Sequence, residues 1–368
     1  MKSGISSRRS RLTLIAAGAA GLLAVACGSS APTLPSGLGS LFSPSSHGSG
    51  TSAPAGNSAW SAPVKVDSTG TQGLNAISCA SSSFCVATDA AGNAFVYTGT
   101  WSSATNIDST IPSGNDSEDN LQSVSCASSS FCVVGDSKAN VMIYNGSSWS
   151  QPQSIDPNTG AGFFSVSCPT ATFCMAVDGA ANAISFNGTT WSTPAPIDPN
   201  SSELSSELTS VSCGSPTFCV ALDGADDSIT YNGTAWGQPQ TLNTSGGTQQ
   251  PVVPYVSCGS TTLCVGAGSI NDTSEYLVTY DGTNWSSPVP AEDSPDEYIA
   301  VSCATSATFC MVLEAGGHDV TYAGSTWSHP QQIEPLTEDA LPTAVSCVSA
   351  SDCVMVDSAG NALTSRSS

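Results

Sequence analysis

Positive charge is the scarcest thing in this 368-residue chain: seven Lys and Arg stand against 29 Asp and Glu, with only three His. Lys2, Arg8, Arg9 and Arg11 crowd the start, so beyond residue 26 only Lys65, Lys138 and Arg366 remain basic. Nucleic acid is thereby excluded as a partner, because neutralising phosphates needs Lys and Arg that are not there. His47, His318 and His329 are too few for a copper site built from several imidazoles, and none stands near a nucleophile elbow. A helical period is also missing: nowhere do apolar residues keep a 3.6-residue spacing for ten residues. The one long apolar run, from Leu12 to Ala26, is too short for a stable spanning helix.

That run follows a basic leader and reads as a secretory signal over residues 1–26. Leu23-Ala24-Val25-Ala26 before Cys27 resembles a bacterial lipobox, with Ala where Leu is commoner. The resemblance implies cleavage before Cys27 and diacylglyceryl modification of its thiol, so that acyl chains hold the protein on the outer surface of the cytoplasmic membrane. Ser7-Arg8-Arg9-Ser10-Arg11-Leu12 resembles part of a twin-arginine signal, but Arg11 sits where that signal prefers Phe. The general secretory route is therefore the expectation. Residues 27–56, lipidated Cys27 followed by Ser, Gly, Pro, Ala and Thr, read as a tether of roughly 30 Å root-mean-square span.

What the chain does have is cysteine in a fixed rhythm. Fourteen of the fifteen fall into short pairs: Cys79 with Cys85, Cys126 with Cys132, Cys168 with Cys174, Cys213 with Cys219, Cys258 with Cys264, Cys303 with Cys310 and Cys347 with Cys353. One pair recurs with each repeat of about 45 residues. Such density belongs to an oxidising compartment and agrees with export. Five or six residues separate the members of each pair and no Cys-x2-Cys appears, which argues against zinc bound by these thiols.

Each unit carries four β-branched or aromatic runs separated by Gly, Asn, Asp and Ser, as in Ser123–Cys126, Phe131–Asp136, Val141–Tyr144 and the segment after Trp149. Asn145-Gly146, Asn187-Gly188, Asn232-Gly233 and Asp281-Gly282 supply the positive φ that a tight hairpin requires. Seven such units predict an all-β chain, a seven-bladed β-propeller with four antiparallel strands per blade over residues 57–368. The last unit ends at Asn361–Thr364 without a Trp strand, whereas Trp60–Asp67 has no unit of its own. Trp60 is therefore expected in the blade of Cys347 and Cys353. Each cysteine pair should bridge the first and second strands, at about 2 kcal/mol of unfolded-state restraint per bridge. Phe84, Phe131, Phe173, Phe218, Leu263 and Phe309 are expected to pack between blades, as are the seven Trp.

The mature chain sets 29 acids against three cations, a formal charge near −26. On a propeller, Asp281 and Asp352 map to the face of the cysteine hairpins and the other acids to the opposite face. Asp116, Glu118, Asp119, Asp226, Asp227, Glu292, Asp293 and Glu297 form the candidate binding face, with a basic partner or Ca2+ as the ligand class. The alternative reading is charge that keeps a displayed protein soluble. Asp89…Asn93, Asp136…Asn140, Asp178…Asn182 and Asp357…Asn361 are read as turn residues bonding their own backbone. In the sixth unit Glu314 replaces the turn Asp, and Gly316-Gly317-His318-Asp319 follows; the odd unit is read as a degenerate repeat before a catalytic one.

Thr279-Tyr280-Asp281-Gly282-Thr283-Asn284-Trp285 resembles the Asp-box hairpin of sialidases, less one residue. The resemblance implies blade architecture without the sialidase site, since no cluster of arginines exists to clamp a substrate carboxylate. Over residues 57–368 the pattern resembles bacterial surface lipoproteins built of cysteine-paired propeller repeats. The expectation is a non-enzymatic, membrane-anchored extracellular binding or scaffold module with a protein or glycan partner. The alternative is a lectin or glycoside hydrolase on the same fold.

Overall fold

The computed structural model describes residues 60–68, 73–111, 119–157, 164–198, 207–242, 251–270, 274–290, 296–305, 308–333, 336 and 340–365. Cys27, the signal and the tether lie outside them, as do Asp116, Glu118, Glu292 and Asp293. Among the described residues every regular element is a strand.

Blade one shows how the repeat folds. Leu74–Ser81, Phe84–Asp89, Asn93–Tyr97 and Thr105–Asn106 form a four-stranded antiparallel sheet in sequence order. Blades two to six repeat it, with first strands Leu121–Ser128, Phe164–Thr170, Leu208–Ser215, Pro251–Ser260 and Tyr298–Cys303. Blade seven holds Pro342–Ser349, Asp352–Asp357 and Asn361–Thr364; its fourth strand is Val64–Lys65, with Val64 opposite Ala362 and Lys65 opposite Asn361. Trp60 bridges Ser365 and packs with Val345, Cys347, Met355 and Leu363 of that blade and with Met311 and Leu313 of blade six.

The fourth strands are shorter than the sequence suggests: a lone bridge at Trp, then two paired residues. Proline three residues after Trp, at 63, 152, 194, 239, 288 and 330, denies the ladder a donor at the break, although blade one breaks in the same place with Ala104. Breaking the outermost strand this way also blunts an edge that could otherwise recruit another chain.

Every cysteine pair read from the sequence is a disulfide, and each staples the start of a second strand to the first strand of its own blade. Cys85 is bonded to Cys79, Cys132 to Cys126, Cys174 to Cys168 and Cys219 to Cys213. Cys264 is bonded to Cys258, Cys310 to Cys303 and Cys353 to Cys347. The Cα atoms of each pair stand 3.9–4.1 Å apart, because antiparallel pairing sets the two residues opposite each other, as with Cys79 and Cys85 or Cys303 and Cys310. The second cysteines are the more deeply placed: Cys85, Cys132, Cys174, Cys219, Cys264, Cys310 and Cys353 are at most 1% exposed.

The residue before the second cysteine crosses to the next blade: Phe84 stacks on Tyr144, Phe131 on Phe186, Phe173 on Tyr231 and Phe218 on Tyr280, at centroid distances of 5.7–6.2 Å. The tryptophans divide. Trp60 is 2% exposed, while the other six are half-buried and lean on the Tyr or Phe of their own blade. Each still packs against a cluster drawn from two blades, as Trp149 does with Phe84 and Ile107 of blade one and Met142 of blade two, so the expected place between blades holds, at its outer margin.

A belt of hydrogen bonds runs round the first strands. The serine before each first cysteine accepts from the backbone N–H of the first cysteine in the next blade, at 2.8–3.0 Å. Ser346 of blade seven accepts from Cys79 of blade one, so seven bonds make a closed circuit. A small hydroxyl is the side chain that reaches a neighbouring backbone without spreading the blades.

Candidate functional site

The turns between second and third strands meet the connections that enter the first strands. Ser137 N donates to Asn120 O, Gly224 N to Glu207 O, Ala315 N to Glu297 O and Ser358 N to Leu341 O, all at 2.8–3.0 Å. These two sets of loops therefore share one face. The Asn-Gly hairpins pack on the cysteine-hairpin tips instead, Gly188 against Thr172 and Gly233 against Thr217, and make the other face.

On the first face the turns of blades one, two, three, four and seven are each built around a buried carboxylate. Asp89, Asp136, Asp178, Asp223 and Asp357 are at most 2% exposed, and one oxygen of each accepts two backbone N–H bonds at 2.7–3.0 Å. Where the fourth residue on is Asn, its amide donates to the second oxygen: Asn93, Asn140, Asn182 and Asn361 do so at 2.7–3.2 Å. The expected local role of these Asp residues is what the geometry shows. The third residue of the turn takes positive φ, which Gly92, Gly317 and Gly360 accept freely and Ala139, Ala181 and Asp226 accept at a cost.

A second acid, following the fourth strand of the preceding blade, faces the clamps of Asp89, Asp136, Asp178 and Asp223. Asp67, Asp108, Asp156 and Asp198 are also at most 2% exposed. Burial pushes the Asp136 carboxyl up, and its hydrogen bond with Asp108 raises it further. Burial likewise raises Asp178, beside Asp156, and Asp89, near Asp67. Asp223 is pushed up to about 6, by burial first and then by the charges of Asp227 and Asp198. Blade junctions thus set a clamp carboxyl, raised chiefly by burial, close to a second buried acid.

This arrangement changes the picture of the acidic face. Twelve described carboxylates are buried and belong to turns and junctions, not to a surface. Sequence position maps them to one end of the blades, yet it does not show that the adjacent blade covers them. Of the candidate binding residues, Asp226 is 2% exposed, Asp119 and Asp227 are half-buried, and Glu297 is exposed, as is Glu207 beside the fourth blade. Both described lysines are engaged on the same face. Lys138 meets Asp119 at 2.6 Å, and Lys65 donates to the Ala359 carbonyl.

Blade six departs from the rule. Glu314 fills the clamp position, fully buried, and His318 stands where other blades have Asn. Asp296, from the entering connection, closes on both, so that ligand atoms of the three lie within 4.8 Å of one another. Asp319 next door accepts from Trp60 Nε1 at 3.1 Å, joining blade six to blade seven. The sequence marks Glu314 and His318 as odd but gives no sign of Asp296. A cleft of about 430 Å³ between blades one and two is lined by Tyr144, Trp149, Asn106 and Gln151. Its Tyr–Trp pair recurs in other blades and is accounted for by packing.

Fold and site define a closed seven-bladed propeller with disulfide-stapled inner hairpins and carboxylate-clamped turns. Among solved structures it is similar to YCF48 bound to D1 peptide, at 10% identity and TM-score 0.60, covering 85% of this chain and 98% of that one. It is similar also to YCF48 from Cyanidioschyzon merolae, at 12% and 0.60, covering 83% and 98%. The WD40 β-propeller domain of Doa1 matches at 10% and 0.61, covering 84% and 97%. At such identities the likeness establishes the fold. No protein-family model and no curated protein sequence matches the chain.

Proposed function

We propose that the protein is a non-enzymatic recognition module, held outside the cytoplasmic membrane by lipidated Cys27, whose turn-and-connection face binds a basic segment of a protein partner. The observation that supports it is the charge balance of that face: Lys65 and Lys138 are already engaged there, while Glu207 and Glu297 remain exposed. Complementary charge of this kind sets on-rate and partner choice. The paired carboxylates argue for structure over catalysis, because they are buried and hold turns, where a glycosidase pair would face a substrate. The structure of YCF48 bound to D1 peptide supports the idea that this architecture can seat a peptide.

The test is binding of the purified chain to arrays of basic and neutral peptides and of glycans. Selective capture of basic peptides, weakened by salt and by the double change Glu207→Lys and Glu297→Lys, is the expected result. Glycan binding that is indifferent to salt would replace the proposal with a lectin, and turnover of a bound glycan with a hydrolase.

A further inference from the structure

We propose that blade six holds a divalent transition metal through Asp296, Glu314 and His318, with Zn2+ the ion its donors fit best. The repeat supplies its own comparison. In blade two, Asp119 stands two residues before the first strand and pairs with Lys138, two residues into the turn. In blade six the equivalent positions are Asp296 and Gly316. A Cβ on Gly316 would lie 1.7 Å from Asp296 Oδ2, so the carboxylate occupies the space that a side chain takes elsewhere. The loss of that side chain lets Asp296 cross the turn and reach the other two residues.

Glu314 and His318 have changed together. An Asn amide donates to the clamp carboxylate in blades one, two, three and seven; His318 Nδ1 instead stands 3.7 Å from Glu314 Oε2, beyond hydrogen-bond range. Two ligands each 2.0–2.1 Å from a tetrahedral zinc are about 3.3 Å apart, so a small closure would seat an ion between them. His318 Nδ1 is buried and has no hydrogen-bond partner among the described residues. The turn beneath is fixed: Gly317 N donates to Glu314 O, and Ile333 N and Gln332 Nε2 both donate to Gly317 O, at 2.8–3.1 Å. One imidazole and two carboxylates suit zinc, whereas Ca2+ wants six to eight oxygens. Three protein ligands leave the fourth position to water or to a donor from a partner. This site is separate from the face-charge reading above and stands or falls alone.

The full chain, stripped with a chelator, is titrated with ZnCl2 in competition with a chromogenic chelator. One tight equivalent is expected, above weak binding by surface acids, and equimolar CaCl2 should not displace it. His318→Ala and Gly316→Ala should each weaken it by at least the roughly 10–100-fold that altering even an outer-shell partner costs. Gly316 has no positive φ, so its Ala variant tests the space and not the backbone. Asp119→Asn should leave binding unchanged. Circular dichroism in chelator checks each variant's fold, and X-ray absorption of the zinc-loaded wild type should show one nitrogen among oxygens. Zinc binding unaffected by both substitutions, displacement by equimolar Ca2+, or an all-oxygen shell would overturn the proposal.

Discussion

Asp227→Asn should stabilise the protein at neutral pH and do little in acid. Asp223 Oδ1 accepts from Ala225 N and Asp227 N, as in the other clamps, but Oδ2 meets no donor among the described residues. The Asn that supplies this donor in four other blades is here a second acid. Asp223 is therefore raised from 3.8 to about 6, chiefly by burial and further by Asp227 and Asp198. A carboxyl whose folded value is raised stabilises the native state fully below the unfolded value and loses that contribution as pH climbs through the folded one. Two units at 1.36 kcal/mol each put the loss between pH 3.5 and 7.5 at about 3 kcal/mol. Asp227→Asn restores the donor and removes one charge but leaves the burial, so about 1–2 kcal/mol of that loss should return. At roughly 2–4 °C per kcal/mol for a domain approaching this size, thermal unfolding at pH 7.5 should move up by about 2–8 °C. At pH 4.5, with Asp223 already protonated in the wild type, the two proteins should melt together. An equal gain at both pH values, or a lower melting temperature at pH 7.5, would refute the clamp as the origin of the shift.

Ser346→Ala opens the hydroxyl belt at one link and leaves Cys79 N–H without its acceptor; a loss of about 1–3 kcal/mol is expected by chemical denaturation, matched by Ser212→Ala in an interior blade. Ala181→Gly relieves a φ of 62° and should raise the melting temperature by roughly 1–3 °C, equivalent to about 0.5–1 kcal/mol. Trp60→Phe keeps most of the apolar volume but removes the donor to buried Asp319, and a cost of about 1–3 kcal/mol should appear in the unfolding midpoint. Were Trp60→Phe neutral, the bond would be incidental to the contact between blades six and seven.

The architecture is legible in the sequence because a disulfide every 45 residues and an Asn-Gly turn are signals set by local geometry. The cross-blade role of Phe131 and its equivalents is legible too, since an apolar residue beside a buried cysteine such as Cys132 must face a neighbour. The serine of Val-Ser-Cys is not. It reads as an ordinary strand residue, and only the approach of a second blade turns its hydroxyl into an acceptor for a backbone 43–48 residues away. The junction acids fail for the same reason. Asp108 and Asp136 are 28 residues apart, and each alone looks like a solvated turn; their shared burial is a property of two blades. Asp296 is the sharpest case, because what admits it is a side chain that Gly316 lacks.

The clamp is kept in blades one, two, three and seven and altered in four, five and six. Blade four replaces the Asn by Asp227. Blade five has Gly268 opposite Tyr276, and there the second and third strands run on to Ile270 and Ser274. Tyr276 is 2% exposed, with its hydroxyl pushed up by burial and by the charges of Asp226 and Glu275. Blade six substitutes Glu314 and His318. The alterations are contiguous, and each places charge or bulk where the kept clamps place a satisfied amide. A clamp is the cheaper solution for stability, as the raised carboxyl of Asp223 indicates. Their adjacency directs the search for a partner to one sector of the face, and charge-reversal at Glu297 should therefore impair binding more than the same change at Asp119 in blade two.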